Sequence, residues 1–256
     1  MTVSQISDRA RFEAEGILFP LPAFTSDEVA AARAAFNRIA ALPPEIGRRI
    51  LLSKSHLVSR TLWDLLFARA VLDRVSAIAG PDLLVWGANF FSKPPGSAQF
   101  VSWHQDATYW GLEPDDIVTA WIALTPSTVE NGCMRVIKGS HDSPLPHVDT
   151  HAADNMLSRG QEIAVAVDEA QATDVVLAPG QMSLHHVRIA HGSEPNRSDD
   201  WRIGWVVRYI GGHVRPTAGR RDRALLVLGT DRGHFEAETP PSGELLPEDL
   251  ARHALI

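Results

Sequence analysis

The chain is almost without sulfur chemistry: its 256 residues hold one cysteine, Cys133. That excludes an intramolecular disulfide and any zinc site built from several thiolates. A metal bound by this chain must be held by histidine and carboxylate. One thiol also fits a reducing compartment, so a cytoplasmic location is expected. No run approaches the roughly 18 apolar residues of a membrane span. The opening "MTVSQISDRARFEAEG" lacks the apolar core of a secretory signal. Positive charge is in deficit: 24 Lys and Arg face 31 Asp and Glu, for a net charge of −7. This disfavours nucleic acid or an anionic membrane as partner, and leaves a small molecule as the expected ligand. Repeats and low-complexity linkers are absent as well. The composition carries no signal for oligomeric state.

What is present divides into two styles. "FTSDEVAAARAAFNRIAALPPE" predicts a helix with a Thr25–Glu28 capping box, one apolar face at Val29, Phe36 and Ile39, and a stop at Pro43 and Pro44. "TLWDLLFARAVLDRVSAIAGP" predicts a second helical stretch, broken in its middle and stopped at Gly80. Beyond Gly80 the apolar runs are short: "LLVWGANFF", "AQFVSWH", "DIVTAWIALT", "GCMRVIKG", "DVVLAPGQMSLHH" and "WRIGWVVRYI". Turn-rich segments separate them, as in a β-rich fold. Residues 142–172 are polar and irregular, as expected of a lid or binding loop. The expected organisation is a single domain over 1–256. Residues 1–80 are largely helical, 81–215 form a catalytic β core, and 216–256 form a C-terminal extension.

The chemistry concentrates in "WHQDATYW". His104 and Asp106 are two apart, which on a strand places both on one face. A third ligand must come from elsewhere, and "SLHHVRIAHGS" offers His185, His186 and His191. Two histidines and one carboxylate occupy one face of an octahedral ion and leave the opposite positions open. This donor set suits non-haem Fe(II) oxygenases. Arg202 lies eleven residues after His191, and a guanidinium there suits the far carboxylate of a chelating keto acid.

The blocks "WHQDATYWGLEPDDIVTAWIAL", "ENGCMRVIKGSH" and "HGSEPNRSDDWRIGWVVRY", in this order, resemble the phytanoyl-CoA dioxygenase family. The likeness extends from about Phe12 to about Val214 and includes "EGILFPLPAFTSDEVAAAR" and "GPDLLVWGANFFSKPPG". It implies a mainly β fold with flanking helices, a double-stranded β-helix (jelly roll), that binds Fe(II), 2-oxoglutarate and O₂. Carried over by motif, His104, Asp106 and His191 match the iron ligands, and Arg202 the 2-oxoglutarate arginine. Trp121 matches a residue lining that pocket, and Ser193 one beside the co-substrate. Retention of Asp106, where halogenating members have Ala or Gly, implies hydroxylation rather than chlorination. The implied reaction hydroxylates an unactivated C–H, with 2-oxoglutarate converted to succinate and CO₂; the modest chain length and the candidate pocket arginines point to a small polar or anionic metabolite as substrate.

Other residues are weighed beside these. Tyr109 or Trp110 is expected to reach the pocket, with Trp103 left to the core. Asn89, Arg188 and Arg208 are candidates for substrate contact. Lys93 reads as a solvated turn residue. Only one of His185 and His186 should face the pocket, since neighbours on a strand point oppositely, and His186 is the candidate. Cys133 and His141 read as structural. Two other readings remain: a 2-oxoglutarate-independent cupin-type metalloenzyme, which would have no use for Arg202, and a catalytically inactive jelly-roll binding protein.

Overall fold

The structure, a computed structural model, describes residues 7–217, 219 and 221–256. Helix α1 (Asp8–Glu15) is followed by strand β1 (Ile17–Pro22) and helix α2 (Ser26–Ala40). The Thr25 hydroxyl accepts from the Glu28 N–H while the Glu28 carboxylate accepts from the Thr25 N–H, so both halves of the capping box form. Val29, Phe36 and Ile39 are buried on the inner face. The two prolines mark more than a stop. α2 ends at Ala40, and Pro44 then opens helix α3 (Pro44–Leu52), where a missing N–H is harmless because the first turn has no acceptor for it. The second helical stretch is broken into α4 (Arg60–Leu65) and α5 (Arg69–Ala79).

The two main sheets are built from β1 and from β2 (Leu83–Lys93), β3 (Val101–His104), β4 (Ile117–Ala123), β5 (Met134–Ile137), β6 (Thr173–Val175), β7 (Gln181–His186), β8 (Ala190–Ser193), β9 (Arg202–Gly211), β10 (Arg223–Leu228) and β11 (Glu236–Ala237). A seven-stranded sheet has the order β1-β7-β4-β9-β2-β10-β11, and a four-stranded sheet the order β3-β8-β5-β6. All pairings in both are antiparallel except β10 with β11. The large sheet thus takes β1 from before residue 81 and β10 from after residue 215.

Alternation along β9 organises the layers. Ile203, Trp205, Val207 and Tyr209 pack into the main core with Phe36, Ile39, Leu62 and Val75 from the helices. Arg202, Val206 and Arg208 point the other way, into a cavity closed by the four-stranded sheet. A strand covered on both faces reads as a near-continuous apolar run, which is why "WRIGWVVRYI" shows no clean polar alternation. Residues 142–172 do not form an extended flap. Their short hairpin (147–149 with 161–163) lies beside β3, where the Ser102 hydroxyl donates to the Gln161 carbonyl and the Phe100 N–H to that of Asp154.

The end of the chain is tied to the helical layer by buried charge. Glu238 accepts from Lys54 at 2.5 Å and contacts His56 Nε2 at 2.7 Å, with its side chain fully buried. Burial opposes ionisation of Glu238, but His56 and Lys54 outweigh it and hold the carboxyl below its usual range. Its folded pKa is therefore depressed. The stabilisation is present above the unfolded value of about 4.3 and fades as pH falls below it. Glu238→Ala is expected to cost about 3 kcal/mol by stranding Lys54 and His56. In urea denaturation at pH 7 the midpoint should fall, and the gap to wild type should narrow near pH 3.

Candidate active site

Strand register brings the two histidines together. β8 pairs with β3 so that His191 lies directly opposite His104, and their ring centroids are 4.1 Å apart. Asp106 arrives by another route than an extended strand. β3 stops at His104, and Asp106 is in helical conformation (φ −62°, ψ −38°) at the head of a single turn, Ala107–Trp110. The turn is tied down by the Ala107 N–H donating to the Val187 carbonyl. The turn sets Asp106 Oδ1 3.4 Å from His104 Nε2. One donor atom from each of His104, Asp106 and His191 lies within 4.8 Å of the others.

Gln105, between the two N-terminal members of this cluster, was not anticipated. It is buried, and its amide donates to the carbonyls of Ser140, Ser143 and Arg188 while its oxygen accepts from the Leu145 N–H. It ties the turn to two flanking segments, 140–145 and the one that carries Arg188. A polar residue between two ligand candidates in "HQD" was the only hint in the sequence, since its partners are distant in the chain.

The donors suit a divalent metal. His104 Nδ1 faces the Ser102 carbonyl at 2.9 Å and His191 Nδ1 the Ile189 carbonyl at 3.0 Å. Each carbonyl can accept only from a protonated Nδ1, so each Nε2 is left with a lone pair. Burial and the nearby His104 hold the His191 pKa at about 4, keeping it neutral. Burial disfavours the Asp106 carboxylate. The neighbouring His104, His191 and Arg208 outweigh that and hold the acid well below its usual range. Two imidazoles, each with Nδ1 turned to a backbone carbonyl, and one carboxylate face a common point.

The opposite end of the cavity is cationic. Arg202 is 2% exposed and donates to the Gly132 carbonyl, and its Nε has no partner. Its guanidinium carbon lies 5.5 Å from the centre of the Trp121 ring. Gly132 sits at φ +72°, and a β-carbon there would meet the Glu194 carbonyl at 2.1 Å, so the "NG" turn that offers this acceptor requires glycine. Ser193 lines the same end. Lys93 is not a solvated turn residue: it is fully buried on β2 beside Arg202, donating to the Ser193 hydroxyl at 2.7 Å and to the Glu194 carbonyl. Burial and the Arg202 charge push its pKa down to about 6. A register that a single chain does not reveal brought it inside.

Several further expectations are corrected. His185, not His186, faces the cavity. His186 points away and packs against Phe12 and His141. Tyr109 turns outward against His147 and Arg159. Trp110 stays outside the cavity and lies with Trp86 in an outer groove, because the turn after Asp106 carries both rings away from the centre. Trp103 is half-buried under Arg135 rather than in the core. Arg188 pairs with Asp115 at 2.9 Å, outside the cavity. Asn89 accepts from Arg208 instead of lining the cavity. Arg208 lines both the cavity and the outer groove. Cys133 is buried, and burial pushes its thiol up to about 11, so it offers no nucleophile.

Facing antiparallel sheets around a two-histidine, one-carboxylate cluster, with a buried arginine at one end, define the class of non-haem iron, 2-oxoglutarate-dependent oxygenases. The chain belongs to the phytanoyl-CoA dioxygenase (PhyH) family, whose model matches residues 12–204. Among solved structures it is similar to the apo form of the non-haem monooxygenase ThoJ, with 38% identity, TM-score 0.85, and coverage of 96% of this chain and 93% of that one. It is also similar to CytC3 with Fe(II) and α-ketoglutarate, with 26% identity, TM-score 0.68, and coverage of 94% and 95%. Among curated relatives, a probable α-ketoglutarate-dependent hypophosphite dioxygenase of Stutzerimonas stutzeri is 28% identical over 64% of this chain and 58% of its own length. The peroxisomal phytanoyl-CoA dioxygenase of Bos taurus is 30% identical over 52% and 41%. The chain spans about half the length of the curated relatives it matches. Among the described residues no helix is long and apolar enough to cross a membrane.

Gly204 keeps the cationic end open. A β-carbon there would lie 2.1–2.7 Å from atoms of the Trp121 indole. Gly204→Ala is expected to displace that ring from Arg202 and destabilise the fold by about 1–3 kcal/mol. A lowered melting temperature together with an altered near-UV tryptophan circular dichroism band would bear this out. An unchanged band would show that the ring is not held there.

Proposed function

We propose that this protein is an Fe(II)/2-oxoglutarate-dependent hydroxylase of a small, polar or anionic metabolite. The observation that carries the reading is one cavity with a cluster of two imidazoles and a carboxylate at its centre and, at one end, a buried guanidinium that has no carboxylate partner among the described residues. The two facing sheets support reading the β core as a double-stranded β-helix within one domain over 1–256.

His104, Asp106 and His191 would hold Fe(II) through both Nε2 atoms and a carboxylate oxygen. Arg202 would bind the far carboxylate of 2-oxoglutarate, with Ser193 and Lys93 at the same end and Trp121 as the wall. Bound iron and 2-oxoglutarate supply, with O₂, the oxidising power for C–H hydroxylation, releasing succinate and CO₂. The chain's own part is positioning and exclusion of water. The Ser102 and Ile189 carbonyls fix the two imidazoles, and Gln105 fixes the turn that carries Asp106. Phe91, Val101, Met134 and Val206 give the cavity apolar walls. Asp106 supports hydroxylation over halogenation, since its carboxylate takes the metal position a halide would need.

Adding Fe(II) and 2-oxoglutarate to the protein without oxygen should give a visible metal-to-ligand absorption band. Arg202→Ala should weaken 2-oxoglutarate binding by about 30-fold or more, as for loss of one partner of a buried charge pair. With oxygen, succinate release should require 2-oxoglutarate, and Asp106→Ala should abolish it. Absence of the band in the wild type sinks the reading. Oxygen consumption without succinate would favour the 2-oxoglutarate-independent alternative.

A further inference from the structure

Arg208 is a second cation of this cavity, half-buried, and the co-substrate leaves it unexplained. It lies on β9 six residues beyond Arg202 and on the same face. At about 3.3 Å per residue the two positions are about 20 Å apart along the strand. A five-carbon dicarboxylate whose far carboxylate sits on Arg202 is satisfied there and at the metal cluster, and leaves Arg208 to another anion. Among the described residues no carboxylate forms an ion pair with Arg208, although its charge is felt at Asp106. A guanidinium whose Nε is buried without a hydrogen-bond partner, and that has no carboxylate at ion-pair distance, is costly unless a ligand pairs with it.

The surroundings show which edge is open. One terminal nitrogen of Arg208 donates to Asn89, the ring of Trp110 lies 4.9 Å from its guanidinium carbon, and its Nε is buried without a partner. In the sheet, Arg208 on β9 lies beside Thr119 on β4, which lies beside His185 on β7. The Thr119 hydroxyl and His185 Nδ1 are also buried without partners. Three neighbouring strands therefore present a row of unpartnered polar atoms across the cavity floor, at the end away from Arg202. Arg208 also lines the outer groove with Trp86 and Trp110, so this row lies on the path from solvent.

Building on the hydroxylase reading, we infer that Arg208 is the substrate-specificity residue, receiving a substrate carboxylate side-on. Asn89 and Trp110 fix the plane of the guanidinium, leaving the Nε edge as a two-pronged donor matched to a carboxylate. Thr119 supplies a further hydroxyl. The substrate is a small carboxylate that enters past Trp86 and Trp110, with its oxidised carbon between Arg208 and the metal cluster.

The test uses the full chain loaded with Mn(II) and saturating N-oxalylglycine, which occupies the Arg202 end. Calorimetric titration compares small carboxylates with their neutral amides, such as 3-phenylpropionate with 3-phenylpropanamide and hippurate with its amide. At least one carboxylate should bind about tenfold or more tightly than its amide. Arg208→Gln should reduce that ratio to below about threefold, and Arg208→Lys should retain part of it. A wild-type panel in which no carboxylate outbinds its amide overturns the inference, and so does an unchanged ratio in a folded Arg208→Gln. Should that variant fail to fold, the wild-type comparison still decides. The Fe(II)/2-oxoglutarate absorption band of the wild type separates the two failures: its absence sinks the hydroxylase reading, whereas its presence with no carboxylate preference sinks only the role of Arg208.

Discussion

The alternation of strand Arg202–Gly211 between two buried faces is the constraint on which the molecule rests. The strand pairs with Leu83–Lys93 on one side and Ile117–Ala123 on the other, so it has no free edge. Its odd-numbered side chains are committed to the helical layer, where Trp205 and Tyr209 are among the largest buried groups. Arg202, Val206 and Arg208, on the other face, are therefore directed into the cavity. A one-residue slip would exchange the two sets, burying two guanidinium groups among apolar helix faces. The apolar packing of one face thus fixes the chemistry of the other.

That arrangement stores unmet polar demand. Unpartnered buried atoms on Arg202, Arg208, Thr119, His185 and Ser183 are all carried by strands of the large sheet. Of these, Arg202, Arg208, Thr119 and His185 line the cavity, and their unmet polar atoms favour polar, anionic occupants over apolar ones. The four-stranded sheet supplies the two imidazoles of the His104, Asp106 and His191 cluster, and the large sheet supplies the cations. Chemistry is placed at the seam, where both sheets are held by packing at some distance from the reactive atoms.

Much of the site was legible because its signals are local or recur in a fixed order. The His104–Asp106 spacing, the "HGS" around His191, the "NG" turn and the position of Arg202 can each be read along the chain. So can the capping box of Ser26–Ala40 and the break between the helices Arg60–Leu65 and Arg69–Ala79. The errors share one cause. Lys93 was placed outside because it precedes "PPGS", yet its neighbour across the sheet is Arg202. His185 and His186 are adjacent, and only pairing with Ile117–Ala123 decides which of them faces the cavity. Asp106 leaves the strand because the chain turns helical after His104, and that turn carries Tyr109 and Trp110 outward.

The sequence by itself determined the donor types, the order of the blocks and the exclusion of thiolate metal chemistry. Those depend on residue identity and spacing, which survive in one dimension. Tertiary structure alone decided that His185 rather than His186 faces the cavity, that Lys93 is buried beside Arg202, and that Gln105 braces the turn. These depend on pairing between distant segments, such as Lys93 with Arg202, 109 residues apart. Register is set by the sum of packing over both sheet faces, and no short window of the chain contains that sum.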